Sequence, residues 1–177
     1  EDFEQGLLKD FFLSKVTLNT SISHTFYWNI KLEKDNAENK EEIREQFRIL
    51  FDEFMDKLEE DDPESKNLLQ RQWGFREKLI ELSSYIKGIK NFDRKKKKLR
   101  EAISEGGKFD MTEFEPTPIP LDPTVFVWGI VPEKCSVFKS ALCPLRLTFL
   151  VTEETQRLGN PRVNGNEYSI MFKDGDD

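Results

Sequence analysis

Histidine, cysteine and methionine are scarce in this sequence: one, two and three residues out of 177. Cys135 and Cys143 have no second pair with zinc-ligand spacing, so they read as free, partly buried thiols, with a disulfide as the weaker alternative. His24, the single histidine, falls in a helical stretch and reads as a satisfied helix residue, not a catalytic base. No apolar run approaches the length of a membrane span, and the charged amino end is unlike a secretory signal. Basic charge is also in deficit. The net charge of −7 argues against nucleic acid as a partner, because the phosphate backbone asks for a basic surface. On these grounds the chain reads as intracellular. It has no internal repeat, and it opens on Glu1 without an initiator methionine, which is read as the mark of a piece of something longer.

What is present is charge and phenylalanine. Charged residues make up 34% and hydrophobic ones only 37%, a balance that implies much solvated helix around a modest core. Fifteen phenylalanines offset the low aliphatic content, since each ring buries a large area when packed.

Helical spacing dominates the first two thirds. Phe3, Leu7, Leu8, Phe11 and Phe12 recur at three- and four-residue steps, as do Ile22, Phe26, Tyr27 and Ile30 after the short link "SKVTLNTS", which predicts an antiparallel helix pair. Ile43, Phe47, Leu50, Phe51, Phe54, Met55 and Leu58 form the strongest stripe. Asp62 then reads as a cap with Pro63 at the first helical position, opening a helix through Leu68, Leu79 and Ile86 that breaks near Gly88. A shorter helix is expected from Asp93 to Ser104, closed by Gly106 and Gly107. The character then changes. Prolines 116, 118, 120 and 123 leave room for neither helix nor interior strand, so an extended connector is expected. Past it, "TVFVWGIV", "SVFKS", "RLTFLV" and "NEYSIMFK" are β-branched and aromatic runs of strand length. The fold class is therefore α+β, a helical part followed by a small antiparallel sheet.

Most candidate sites have plain readings. The carboxylates Glu59, Glu60, Asp61 and Asp62 read as a solvated helix junction before a metal site. The run "RKKKKLR" from Arg94 to Arg100 reads as a solvated helix face before a nucleic-acid, nuclear-import or bilayer contact. The carboxyl end says more. In "YSIMFKDGDD" the two-residue strand period puts Ser169, Met171 and Lys173 on one face and Tyr168, Ile170 and Phe172 on the other. In nucleotide kinases outside the P-loop class, a strand lysine reaches the phosphates while apolar residues before it line the adenine pocket. Taken alone, the same lysine reads first as an edge lysine with its stem on apolar surface, and only second as a phosphate ligand.

Four ordered stretches add a resemblance. "PIPLDP" at 118–123, "WGIVPE" at 128–133, "FKSALCPLRLTF" at 138–149 and "MFKDGDD" at 171–177 resemble the start of a phosphatidylinositol 3-kinase catalytic domain, most closely class III, the vacuolar-sorting and autophagy type. Upstream, "FYWNIKLE" at 26–33 resembles the last helix of that family's accessory solenoid, and "RKKKKLREAI" a segment ahead of its sheet. The likeness touches nearly the whole chain and is sharpest from Pro118 onward.

The resemblance implies antiparallel helix pairs ending a helical solenoid at 1–35, a helical linker at 36–107, a Pro-rich connector at 108–124, and at 125–177 the antiparallel sheet that begins a kinase amino-terminal lobe. It implies that the turn Phe138–Pro144 is the phosphate loop. Ser140, with small Ala141 beside it, would face the β-phosphate, and Lys139 would help hold ATP. Phe138 would border the nucleotide, Met171 would lie under the adenine, Lys173 would bind the α-phosphate and Asp176 would hold that lysine. ATP is the implied cofactor, with Mg or Mn whose ligands fall outside these residues, because the catalytic loop and the Asp-Phe-Gly are absent from them. The implied partners are phosphatidylinositol in membranes, a protein-kinase-like regulatory subunit and a coiled-coil autophagy subunit; the implied location is cytoplasmic and peripheral, on endosomal or autophagic membranes. Three departures stand out. Asp174 replaces a usual histidine and adds negative charge beside Lys173. Cys143 replaces a usual methionine. The link "VTEETQRLGNPRVNGNEY" is long, and its Asn-Gly and Gly-Asn-Pro pairs predict a protruding hairpin. Competing readings are a non-catalytic helical scaffold or an inactive kinase-like binding module, and a lipid kinase of class I or of 4-position specificity.

Overall fold

The computed structural model describes residues 2–175, with side-chain surroundings from Gly6 onward. Asp176 therefore lies outside the described residues, as does the side chain of Phe3. The fold is mixed, with helices first and an antiparallel sheet after them, and it divides into two compact units inside one helix, between Gln70 and Arg71.

The first unit is helical. α1 (Asp2–Val16) and α2 (Thr20–Asp35) are joined by a tight turn. Asn19 caps α2 by accepting the Ile22 N–H at 3.1 Å, satisfying one of the amide donors that a helix start leaves open. Ser23 donates back to the Val16 carbonyl at 2.8 Å and closes the corner. α3 (Glu41–Asp61) follows. Its stripe buries Phe54 and Leu58 completely against Tyr27 and Ile30 of α2 and Leu13 and Val16 of α1. The expected apolar face of α1 is not the buried one. Leu7, Leu8, Phe11 and Phe12 are exposed, because the helix runs on to Val16 and packs through its last turn. α4 (Pro63–Lys87) starts as expected: the Asp62 carboxylate accepts from the Ser65 N–H at 3.0 Å, with Pro63 just after it.

The second unit contains the rest of α4, then α5 (Phe92–Ile103), five strands and a short α6 (Glu153–Arg157). Phe75, Leu79, Leu82 and Ile86 of α4 fall on one helical stripe and share a core with Leu99 and Ile103 of α5 and the inner face of the sheet. After α5, the chain turns through Gly106 at φ +71. The Phe109 and Met111 N–H groups then satisfy the last carbonyls of the helix, at Ala102 (2.8 Å) and Ile103 (3.2 Å). The proline-rich connector is partly strand. β1 (Thr117–Ile119) pairs antiparallel with β2 (Asp122–Ile130) at the sheet's edge, where the missing N–H of Pro118 costs no ladder bond.

β3 is only Ser136–Val137, shorter than the sequence suggests, and β4 (Leu145–Val151) is the hub. β5 (Glu167–Phe172) pairs along β4 from Leu145 to Leu150 on one side. On the other side β3 takes Leu145 and Arg146, and β2 takes Phe149 to Val151. The long link after β4 is not a simple hairpin: Thr152 caps α6 by accepting the Thr155 N–H, and turns with Gly159 and Gly165 at positive φ lead into β5. The capping hydroxyl and the acidic first turn stabilise one turn and a half of helix where the expectation was a protruding hairpin.

Candidate functional site

The register of β4 decides what meets at the end of the sheet. Leu145 lies between Val137 of β3 and Phe172 of β5. The loop 138–144 therefore leaves the sheet at the same end where β5 finishes and Lys173 begins. Burial alternates along β5, with Tyr168 buried and Ile170 and Phe172 half-buried, while Ser169, Met171 and Lys173 are exposed. That is the two-face pattern expected of the strand. Met171 pairs with exposed Arg146, and Ser169 with buried Thr148, whose hydroxyl it meets at 2.9 Å, so these four share one face of the sheet.

The loop is built around a turn. The Cys143 N–H donates to the Ser140 carbonyl at 3.1 Å, and the Leu142 N–H donates to the Ser140 hydroxyl oxygen at 3.3 Å. Because that hydroxyl accepts, its own proton is left to donate outward. Phe138, Lys139, Ser140 and Ala141 are all exposed. The Phe138 N–H closes the loop on the Pro144 carbonyl at 2.9 Å. Cys143 adopts φ +47, a conformation uncommon outside glycine, and is buried at the loop's base. Both cysteines are free thiols, and burial pushes that of Cys135 up from its ordinary value.

So the structure brings Phe138, Lys139, Ser140, Ala141, Met171 and Lys173 to one end of one sheet, with two lysines and a hydroxyl among them. Such a set suits a polyanion carrying a flat apolar group. Charge-assisted contacts from ammonium groups and loop donors are the strong hydrogen bonds for phosphate, and exposed Met171 and Phe138 offer apolar surface. Further along the same face a cavity of about 420 Å³ is lined by Lys134, Arg146 and Arg162 with the Thr148 and Ser169 hydroxyls; Glu167 holds Lys134 at 2.5 and 2.7 Å.

Lys87, which sequence reasoning did not single out, and Lys95, read there only as part of the basic run, support this end of the sheet. The Asp174 carboxylate, expected to crowd Lys173, is held instead by Lys87 of α4 at 3.3 Å, and the same ammonium donates to the Asp174 carbonyl at 2.6 Å. Lys95, inside the basic run, is buried. It donates to the Ile86 and Lys87 carbonyls at 3.0 and 3.1 Å and lies 3.2 Å from the Cys143 sulfur. Arg100 binds the Cys135 and Glu133 carbonyls. Arg94, Lys96, Lys97 and Lys98 form the solvated face that was expected.

The remaining candidates have structural roles. Asp61 accepts from Lys57 at 2.7 Å and from the Thr17 hydroxyl at 2.5 Å, which holds its carboxyl below the usual range, and Asp62 is the cap of α4. His24 is buried, but its Nε2 has no partner among the described residues, so it is not the satisfied histidine of the sequence reading.

Comparison with known proteins gives the same direction. No family model matches the chain. It is 32% identical over 96% of its length to phosphatidylinositol 3-kinase VPS34 of Candida albicans, and 30% identical over its whole length to phosphatidylinositol 3-kinase pik3 of Schizosaccharomyces pombe. It is 28% identical over 97% to phosphatidylinositol 3-kinase catalytic subunit type 3 of Caenorhabditis elegans. The chain covers 18%, 20% and 19% of those relatives, about a fifth of their length. End to end, it is a homologue of a segment of phosphatidylinositol 3-kinases, of the class III kind. No helix among the described residues is long and apolar enough to cross a membrane.

Proposed function

We propose that this chain is the part of an ATP-dependent lipid kinase that joins the end of a helical domain, 1–35, through a helical linker, 36–107, and a connector, 108–124, to the start of the kinase amino-terminal lobe, 125–177. Its task is to hold ATP. One observation carries the reading: the β3–β4–β5 register sets the loop 138–144 and Lys173 at the same end of the sheet. The residues present fit the nucleotide. Lys173 and Lys139 supply positive charge for its phosphates, the Ser140 proton is placed to donate to a phosphate oxygen, and Phe138 and Met171 offer apolar surface for the base. Asp176, beyond the described residues, would help hold Lys173.

ATP, with Mg or Mn held by residues outside this segment, would supply the phosphoryl group. These residues would bind and orient it, and Ser140 and Lys173 would counter its charge. Lys139 and Lys173 cannot by themselves activate an inositol hydroxyl. Transfer to the 3-hydroxyl of phosphatidylinositol is therefore assigned to the complete polypeptide, and this segment alone is inactive. The resemblance to class III kinases implies that this polypeptide would act in endosomal trafficking and autophagy, peripheral to those membranes, with a protein-kinase-like regulatory subunit and a coiled-coil subunit.

The test is Lys173→Met in the complete polypeptide, assayed with ATP and phosphatidylinositol vesicles. Loss of a phosphate-binding ammonium is expected to lower kcat/KM by about a hundredfold or more, as removal of one preorganised electrostatic contact typically does. Undiminished activity would remove the role given to this lysine.

A further inference from the structure

We propose that Lys87 and Lys95 are positioning residues for the nucleotide, fixing the loop 138–144 and the end of β5 to one helix corner; the inference rests on the ATP-binding reading above. The corner lies where α4 ends and α5 begins. Lys95 is 6% exposed. A buried ammonium is costly unless its donors are met, and here the carbonyls of Ile86 and Lys87 meet two of them at 3.0 and 3.1 Å. Those are carbonyls of the last turn of α4, where the helix dipole favours a cation. The third neighbour is the sulfur of Cys143, at 3.2 Å, in the residue that bends the loop back toward β4.

Lys87 completes the corner. Its backbone carbonyl receives Lys95, and its own ammonium reaches the Asp174 carbonyl at 2.6 Å and the carboxylate at 3.3 Å. A continuous polar chain thus runs from Asp174 through Lys87 and Lys95 to Cys143. At one end of this chain is the residue after Lys173, and at the other the residue three past Ser140. Two consequences follow. The spacing between the two phosphate-facing elements is set by the helix corner. The Asp174 carboxylate, one residue from Lys173, is neutralised by Lys87 and does not contend with a phosphate for the neighbouring ammonium.

The second consequence makes the test specific. In the complete polypeptide, Lys87→Met is expected to raise KM for ATP roughly tenfold, the worth of one charge-assisted contact, with kcat within about twofold. Adding Asp174→Asn to that variant removes the freed carboxylate and is expected to bring KM most of the way back. A merely structural role for Lys87 would not be rescued by neutralising Asp174. If Lys87→Met leaves KM unchanged, or raises it without recovery in the double variant, the inference is overturned. If Lys87→Met does not fold, Cys143→Ala reads the Lys95 arm, with a severalfold rise in KM expected and an unchanged KM overturning it. Lys173→Met run beside these separates the two proposals. Activity lost there with KM unmoved in Lys87→Met sinks only the positioning role, whereas activity kept in Lys173→Met sinks the nucleotide reading and this one with it.

Discussion

His24 shows how one side chain can link burial to pH. It is 6% exposed, its Nε2 has no partner among the described residues, and burial lowers its pKa from the ordinary 6.5. In the unfolded chain the imidazole titrates near 6.5; in the folded chain it stays neutral to lower pH. The unfolded state therefore binds the extra proton first. Stability is full above that value and falls as pH drops through it toward the folded pKa. Urea unfolding of the chain at about pH 7.5 and about pH 5.5 is expected to show this loss, and His24→Leu to remove a measurable part of it. An equal loss in both proteins would assign the pH dependence to other groups. At the same scale, the ion pairs of Lys97 and Lys98 with Glu101 are exposed and screened by solvent, so the weight of the basic run rests on buried Lys95.

Elements differ in how far their residues announce them. The stripe of α3 and the Asp62–Pro63 start of α4 were legible because periodicity and capping are local, and the alternation of β5 was legible because its inner and outer faces differ in character. β1 was hidden because prolines 118 and 120 read as connector, and only pairing with β2 at an edge makes Thr117–Ile119 a strand. α6 was hidden behind the turn residues that follow it. Lys95 was read as one cation of six in a basic run, although it shares a stripe with Phe92, Leu99 and Ala102 that marks it as inward-facing. The meeting of loop and Lys173 was legible only in part: alternation gave the face, but the shared end depends on strand register, which sequence leaves open. β2 gives the sharpest element-scale prediction. At its irregularity, a Cβ on Gly129 would stand 2.5 Å from the Thr112 carbonyl oxygen. That backbone cannot yield, since Ile130 donates to the Met111 carbonyl at 2.9 Å and Phe114 to that of Trp128 at 2.8 Å. Gly129→Ala is expected to cost about 1–3 kcal/mol in chemical unfolding, and a neutral result would mean that the 111–114 segment detaches at no cost.

At the scale of the whole molecule, burial among the described residues falls into two cores with no residue in common. One is built on Phe54 and Leu58 within residues 1–70, the other on α4 from Phe75, α5 and the sheet. Large apolar side chains fill both, so truncating one of them should remove about 3–5 kcal/mol for a phenylalanine and about 2–5 for a leucine. That is a large share of what a domain of this size has. Such a loss should be felt mainly in the core where it is made, because residues without shared partners act nearly independently. Hydrogen exchange of the chain carrying Phe54→Ala is therefore expected to show faster exchange in α2 and α3, while the amides of β4 and β5 keep their protection. Leu82→Ala is expected to do the reverse. The amides of α4 should divide near Gln70, those before it following the first variant and those after it the second. If either substitution releases both regions together, the two cores unfold as one cooperative body, and the end of the sheet that carries the loop 138–144 and Lys173 depends on the helices before Arg71 for its stability as well as on the corner formed by Lys87 and Lys95.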